Sequence, residues 1–269
     1  MPSERAGASF NWTLNRMAYM LRPHKFLFAL IFAAFAAGCA SQDPVARASG
    51  EVFDPYEKTN RTVHAFNRGV DRLAFRPASK GYVAIVPPPM VTSFSYFAEN
   101  LSMPGQMINA LLQGDLKMAG NAFSRFVINS TVGFAGLADP ASEFNVPPVD
   151  TDFGETLHVW GVGEGAYVEL PFFGPSTSRD AAGIAVDFFT NPLGYVEQNT
   201  ADNISIYAEI VRRMGDRGNY SDTIDSILYE SADSYAQSRL IYLQNRRFEL
   251  GEGEEITEID PFDLNTEGF

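Results

Sequence analysis

Residues 121–140 read NAFSRFVINSTVGFAGLADP, the most apolar stretch of the chain beyond its amino-terminal segment. Phe123, Phe126, Val127, Ile128, Val132, Phe134 and Leu137 supply hydrocarbon, and about 20 residues of helix suffice to cross a bilayer. Arg125, Asn129, Gly133 and Gly136 argue against a lone spanning helix, because a charge and loosened backbone would sit in lipid without partners. The stretch therefore predicts a helix that turns back on itself, either buried in protein or dipping into one leaflet. Together with the helical spacings before and after it, that reading makes the chain all-α.

Upstream, DPYEKTNRTVHAFN (54–67) opens a helical pattern in which Tyr56, Thr59, Val63, Phe66, Val70 and Leu73 recur at spacings of three and four. Asp54 before Pro55, with Glu57 three residues on, reads as an N-cap and capping box. Asn60, Arg61, Asn67 and Arg68 take the other faces. Three prolines at 87–89 forbid a helix interior and predict a turn or stiff connector. Helical spacing resumes at Val91, Phe94, Phe97, Ala98 and Leu101, is interrupted at Met103-Pro104-Gly105, and continues through Ile108, Leu111 and Leu112. Gly114-Asp115 then ends one helix and caps the next. Farther on, Asp152 and Glu155 are spaced as the cap and third residue of a short helix. Tyr167 to Leu170 forms one short extended stretch, so little or no β-structure is expected. Residues 178–189, 193–214 and 222–249 read as further helices.

The amino terminus has its own logic. Residues 26–37 are an apolar run of twelve, preceded by Arg16, Arg22 and Lys25 and followed by Gly38 and the only cysteine, Cys39. Twelve helical residues span about 18 Å, short of a hydrocarbon core of roughly 30 Å. Positive flank, short apolar run and small residues form a secretory signal. The stretch Ala36-Ala37-Gly38-Cys39 resembles a bacterial lipobox, with Ala in place of the more usual Leu three positions before the cysteine. Residues 1–38 are then a lipoprotein signal peptide, with Met1, Met17 and Met20 as alternative starts, and Cys39 is the lipid-attachment residue. Two or three acyl chains anchor stably where one does not. Ala40 is not the aspartate that retains lipoproteins at the inner membrane, so the expected destination is the outer membrane. Residues 39–53 read as a lipidated flexible tether, and residues 251–269, with seven acidic and no basic side chains, as an acidic disordered tail.

Removing the signal takes four basic and one acidic residue from totals of 20 and 33, leaving 16 against 32 and a net charge of −16. That balance repels nucleic acid and excludes membrane adhesion through a basic patch. Membrane contact must be apolar or acyl-mediated. No GxSxG, HExxH, Walker A or paired-cysteine motif occurs, so no catalytic residues are assigned, nor any cofactor. Glu155 and His158 have the i, i+3 spacing of bundle metal ligands, but no second such pair is visible, and a capping glutamate beside a partly exposed histidine is the preferred reading; no metal is assigned.

Several segments together carry a family resemblance: DPYEKTNRTVHAFN (54–67), PGQMINALLQGD (104–115), FVINSTVGFAGLADPA (126–141), DFGETLHVWGVGEGAYVELPFFGPSTSRD (152–180) and the late series Asp233, Tyr235, Arg239, Tyr242, Gln244 and Arg246. In that order they resemble the MlaA (VacJ) family of lipoproteins over residues 54–250; His158 and Ala166 stand where the family usually has Gly and Pro. The resemblance implies a multi-helix ring lying in the periplasmic leaflet of the outer membrane around a polar channel. It implies transport of mislocalised phospholipid from the outer leaflet to a soluble periplasmic, MlaC-like carrier, with a trimeric porin as partner and an inner-membrane transporter as recipient. By the same resemblance Phe123, Phe126, Val127, Asn129, Gly133, Phe134, Gly136 and Leu137 form a channel-gating hairpin, and Asn60, Phe66 and Asn67 belong to a membrane-facing or channel helix. A phospholipid hydrolase and a purely structural porin partner are the alternatives; the head group preferred, the porin and the tail's role are not read from the sequence.

Overall fold

The computed structural model describes residues 52–190, Pro192 and 204–252. The signal peptide, Cys39, residues 193–203 and the acidic tail from 253 lie outside the described residues.

Among the described residues the fold is helical apart from one small hairpin. In chain order the elements are α1 (Glu57–Val70), a π-helical segment (Asp71–Phe75), α2 (Arg76–Ile85), α3 (Pro88–Gln113), α4 (Leu116–Thr131), the single turn α5 (Pro140–Glu143) and α6 (Phe153–Val159). Strands β1 (Tyr167–Leu170) and β2 (Gly174–Thr177) follow, then α7 (Ser178–Thr190), α8 (Ile204–Asn219), α9 (Ser221–Asp225), a second π segment (Ser226–Glu230) and α10 (Ser234–Glu249). The strands pair antiparallel, with Tyr167 opposite Thr177 and Leu170 opposite Gly174. None of these helices is long and apolar enough to cross a membrane.

The elements close on themselves. The π segment joins α1 to α2, α2 packs on α8, α8 on α3, α3 on α6, α6 on α7, α7 on the hairpin, and β1 returns to α1. Helix α4 lies along α3 outside this circuit, and α10 packs on β2. Such a circuit has no single large core. One apolar cluster joins Met103, Ala122 and Val149, flanked by Met107, Met118 and Phe126. Another joins Tyr167, Tyr235 and Leu243.

What fills the remaining interior is polar. Arg217 donates to Asp71 Oδ1 and Oδ2 at 2.9 Å each and to Asp225 Oδ1 at 2.6 Å, fastening α8 to the π segment and α9. Arg246 reaches Asp152 at 2.7 Å and Asp180 at 3.3 Å, fixing α10 to the caps of α6 and α7. The buried His64 sits between Glu169 Oε1 at 3.2 Å and Ser234 Oγ at 3.1 Å. Asn60 donates to the Tyr167 carbonyl at 3.1 Å and accepts from the Glu169 amide at 3.0 Å, so α1 acts as an extra edge for β1. Phe53 also joins that edge, its carbonyl accepting from Tyr167 N at 2.9 Å.

Four local expectations change. Asp54 does not cap α1: the helix starts at Glu57 after Tyr56, with no side-chain cap, because the Asp54 carboxylate is taken by Asn60, Tyr235 and Arg239. A charge-assisted tertiary pair outweighs a local cap. The interruption at Met103-Pro104-Gly105 is absent; α3 runs unbroken through Pro104, since proline removes one backbone bond while packing on α4 and α8 holds both halves. The last helix is divided at Ser231 to Asp233: Asp233 accepts from Ala236 N at 3.1 Å and caps α10 anew. The proposed helical hairpin has unequal arms, α4 returning only as the one-turn α5. The stop at Gly114 (φ 80°), the Asp115 cap on Met118 N at 2.8 Å and the Asp152 cap on Glu155 N at 2.7 Å match their spacing. Within residues 193–214 the described helix begins at Ile204 and continues to Asn219.

Arg217→Ala leaves the half-buried Asp71 without its cation and Asp225 with Arg76 and Lys80 alone, and should cost about 1–3 kcal/mol, read as a lower urea midpoint by circular dichroism. Acid should act on the same framework. The Asp225 carboxyl is held low by hydrogen bonds from Arg76, against desolvation, with Arg217 and Lys80 adding to it. Asp233 is pulled down to about 2 by Arg61. Folded values below the unfolded value mean that this stability is full above about pH 4 and is lost as pH falls toward about 2. A pH series of thermal melts should show midpoints declining through that window.

Candidate functional site

Helices α3 and α8 each carry a polar stripe. On α3, Thr92, Ser95, Glu99, Ser102 and Gln106 recur at spacings of three and four, so they share one face of the helix. On α8, Ser205, Glu209, Arg212 and Asp216 do the same. The large apolar residues of both helices lie on other faces, and several of them, such as Met90 and Ile206, are exposed.

The α8 stripe is internally neutralised. Arg212 binds Glu209 through two hydrogen bonds of 2.8 Å and Asp216 at 3.0 Å, and Arg213 adds a bond to Glu209 at 2.7 Å. Desolvation opposes the Glu209 charge, but bonds from Arg212 and Arg213 win and hold its carboxyl low. Glu99 is different: no donor among the described residues reaches its carboxylate. It is open to water, yet desolvation pushes its carboxyl up, with Arg212 and Arg125 pulling down and Asp139 and Asp150 pushing up.

A second feature lies on another face of the same helices. Tyr82 from α2, Phe94 and Phe97 from α3, Ala135 and Leu137 from the loop after α4, and Tyr207, Ala208 and Val211 from α8 line an apolar cavity of about 530 Å³. The size falls in the range of small-molecule sites. The Tyr82 hydroxyl is buried and has no hydrogen-bond partner. A smaller polar cavity of about 250 Å³ is lined by Asp150, Thr151, Asp152, Glu155, Arg246 and Glu249.

The 121–140 stretch is split between these environments. Phe123, Val127, Val132, Phe134 and Leu137 are exposed, Phe134 at 80 %, and Phe126 packs on the Met103 cluster. Asn129 turns inward, donating to Asp139 Oδ1 at 2.8 Å and accepting from Ala141 N at 3.0 Å. The buried Arg125 binds Asp139 at 2.7 Å and the Val146 carbonyl at 2.8 Å. The loop after α4 passes through Phe134 (φ 53°), Ala135 (φ 61°) and Gly136 (φ 94°), a left-handed run that costs about 1–2 kcal/mol per non-glycine residue. A Cβ on Gly136 would fall 2.7 Å from Asn100 Nδ2, so the loop lies directly on α3. On α1, Asn60 and Asn67 bond the hairpin backbone, Asn67 donating to the Leu170 carbonyl at 2.9 Å and accepting from Phe172 N at 2.8 Å. Phe66 is half exposed and meets Phe172 edge to face at 5.2 Å. His158 lies 3.1 Å from Glu252 and 3.4 Å from Arg179, and among the described residues no cluster of His, Cys, Asp or Glu is arranged to hold a metal.

The sequence reading passed over Glu99 and the two stripes. Their signal was present as polar residues at helical spacing, but the apolar residues of the same helices were followed instead.

The family model for the MlaA lipoprotein matches residues 52–249. The chain belongs to the MlaA family. The intermembrane phospholipid transport system lipoprotein MlaA of Haemophilus influenzae is 32% identical, covering 87% of this chain and 93% of its own length. The protein of the same name from Escherichia coli K12 is 34% identical, with 81% and 85% covered. A solved structure from work on the structural basis for maintenance of bacterial outer membrane lipid asymmetry superposes with a TM-score of 0.63 at 32% identity, covering 73% of this chain and 98% of that one. The MlaA fold is thus shared.

Ala208→Leu places a larger side chain into the apolar cavity. It should raise stability by about 0.5–1 kcal/mol while reducing uptake of a fluorescent apolar probe, measured by thermal melts and probe titration on the same preparation.

Proposed function

We propose that this MlaA-family chain is an outer-membrane lipoprotein that removes mislocalised phospholipid from the outer leaflet and passes it toward the periplasm, maintaining outer-membrane lipid asymmetry. The observation that carries the reading is the inverted distribution of side chains in a chain whose named relatives belong to an intermembrane phospholipid transport system. Leu73, Ile85, Leu116, Phe134, Phe172 and Phe248 lie outside and exposed, while Asn60, Arg125, Asn129, Thr156, Arg179 and Arg217 are buried. An apolar exterior suits hydrocarbon, and a polar interior lets a charged head group pass a layer that otherwise disfavours it.

In this scheme Cys39 holds the domain against the periplasmic face of the outer membrane. Asn60, Phe66 and Asn67 fix the helix beside the β-hairpin. Phe123, Phe126, Val127, Asn129, Gly133, Phe134, Gly136 and Leu137 form the gating segment, with the left-handed loop over α3 as its movable part. A trimeric porin holds the protein laterally, and a soluble periplasmic carrier receives the lipid. No bond is made or broken in the lipid, so the chain acts as a conduit and not as an enzyme.

Cells lacking the protein should accumulate outer-leaflet phospholipid, and restoring the wild type should clear it. Cys39→Ser should restore clearance poorly; full clearance by this variant would remove the tether from the mechanism. Asn100 and Ser130 side chains meet at 2.9 Å beneath the loop. Asn100→Cys with Ser130→Cys, once oxidised, should pin α4 to α3 at the base of the segment and block clearance, with recovery on reduction; clearance that continues in the oxidised form would rule out movement of α4 against α3.

A further inference from the structure

One stripe of α8, made of Ile204, Tyr207, Ala208, Val211, Gly215 and Gly218, follows the helix at spacings of three and four. Its carboxy-terminal end is in close contact. A Cβ on Gly218 would stand 2.5 Å from Val83 Cγ1 and 2.8 Å from the Ser79 carbonyl oxygen, and one on Gly215 would stand 3.0 Å from Val91 Cγ1. Helix α8 is therefore pressed onto α2 and α3 at that end. The amino-terminal end of the same stripe stands off instead, and its four side chains line the cavity of about 530 Å³ opposite Tyr82, Phe94 and Phe97. The cavity is a wedge between helices whose joint is set by glycine.

The lining decides what kind of guest fits. No carboxylate, cation or amide side chain is among the lining residues, and the Tyr82 hydroxyl is buried. A head group or a peptide backbone placed there would give up its hydrogen bonds to water and find almost none in return. Hydrocarbon gives up nothing. The mouth opens on the apolar exterior: Phe94, Leu137, Ile204 and Tyr207 line the cavity and are themselves exposed, and Met90, Ile206 and Ile210 on the same two helices are exposed as well. Ala135 (φ 61°) and Leu137 bring the left-handed loop into the wall, so a guest in the cavity touches the segment proposed to move.

We propose that this cavity holds one acyl chain of the transported phospholipid, inserted from the leaflet with the head group left outside the wedge. The inference rests on the lipid path proposed above and names the part of the lipid that this site takes. Ala208 is the buried residue of the α8 wall, and its small side chain leaves the room that the tail occupies. A tail seated between α8 and the loop ties tail binding to the position of the loop.

The full-length lipidated protein is placed in vesicles of phosphatidylethanolamine and phosphatidylglycerol that include a phosphatidylethanolamine with a diazirine midway along one acyl chain. After illumination, labelled residues are mapped by mass spectrometry. The wild type should be labelled on the cavity wall, at Phe97, Ala208 and Val211, as well as at the exposed Ile206 and Ile210. Ala208→Leu should lower labelling of Phe97 and Val211 by roughly tenfold, the scale of two methylenes kept out of the cavity. Labelling of Ile206 and Ile210 should stay at the wild-type level in that variant, which shows that it is folded and still meets the leaflet. Wild-type labelling confined to Ile206 and Ile210, or wall labelling that Ala208→Leu leaves unchanged, overturns the inference; clearance of outer-leaflet phospholipid by the wild type then leaves the transport reading standing. Wall labelling of a wild type that clears no phospholipid in cells overturns the transport reading, and with it the claim that the tail belongs to a transported lipid.

Discussion

Arg217 gives one guanidinium to two carboxylates, Asp71 and Asp225, that come from different parts of the chain. The same economy recurs at Arg246 with Asp152 and Asp180, and Arg125 is buried against the single carboxylate of Asp139. A circuit of helices around a polar interior cannot be held by a hydrophobic core, since its inner faces are the ones that must stay polar. Buried charges need partners with good geometry to be tolerated at all, and here those partners are also the joints between elements. Charge pairing therefore does in this fold what a packed core does in most others, and it fixes where each helix stands.

The consequence appears on the outer surface. With the interior assigned to Arg, Asp, Asn and Thr, large apolar side chains such as Leu73, Ile85 and Phe134 face outward. In water such a surface is a liability; in a lipid leaflet it is the natural boundary. Sites of lipid contact and sites of polar passage are then separated by the thickness of a single helix. Helices α3 and α8 fit that proposal, carrying apolar cavity walls on one face and a polar stripe on another.

The loop after α4 joins these two regions. Asn129 and Arg125 anchor its base through Asp139, Gly136 rests on Asn100, and Ala135 and Leu137 reach the apolar cavity. Its left-handed backbone stores strain that the anchors overcome. A segment fixed at its base and strained at its tip is suited to two positions, which is why the proposed gate is placed there.

Local chemistry was legible in the linear chain. Gly114, Asp115 and Asp152 act through neighbours three or four residues away, so their caps and stops follow from spacing, as does the extended stretch at Tyr167. The all-helical class followed from period, and the argument against a spanning helix at 121–140 from Arg125 and Asn129. The second strand was missed because Gly174 to Thr177 has no alternating pattern of its own and is ordered by pairing with β1. Asp54 was misassigned because Tyr235 and Arg239, which claim it, lie far along the chain. Pro104 was read as a break because the packing that carries α3 through it is not local. The sequence by itself determined the helices, their amphipathic faces and the charges available to join them. Only the tertiary structure decided which carboxylate met which arginine, because Arg217 with Asp71 and Arg246 with Asp180 stand 146 and 66 positions apart and meet only through the packing of the helices between them.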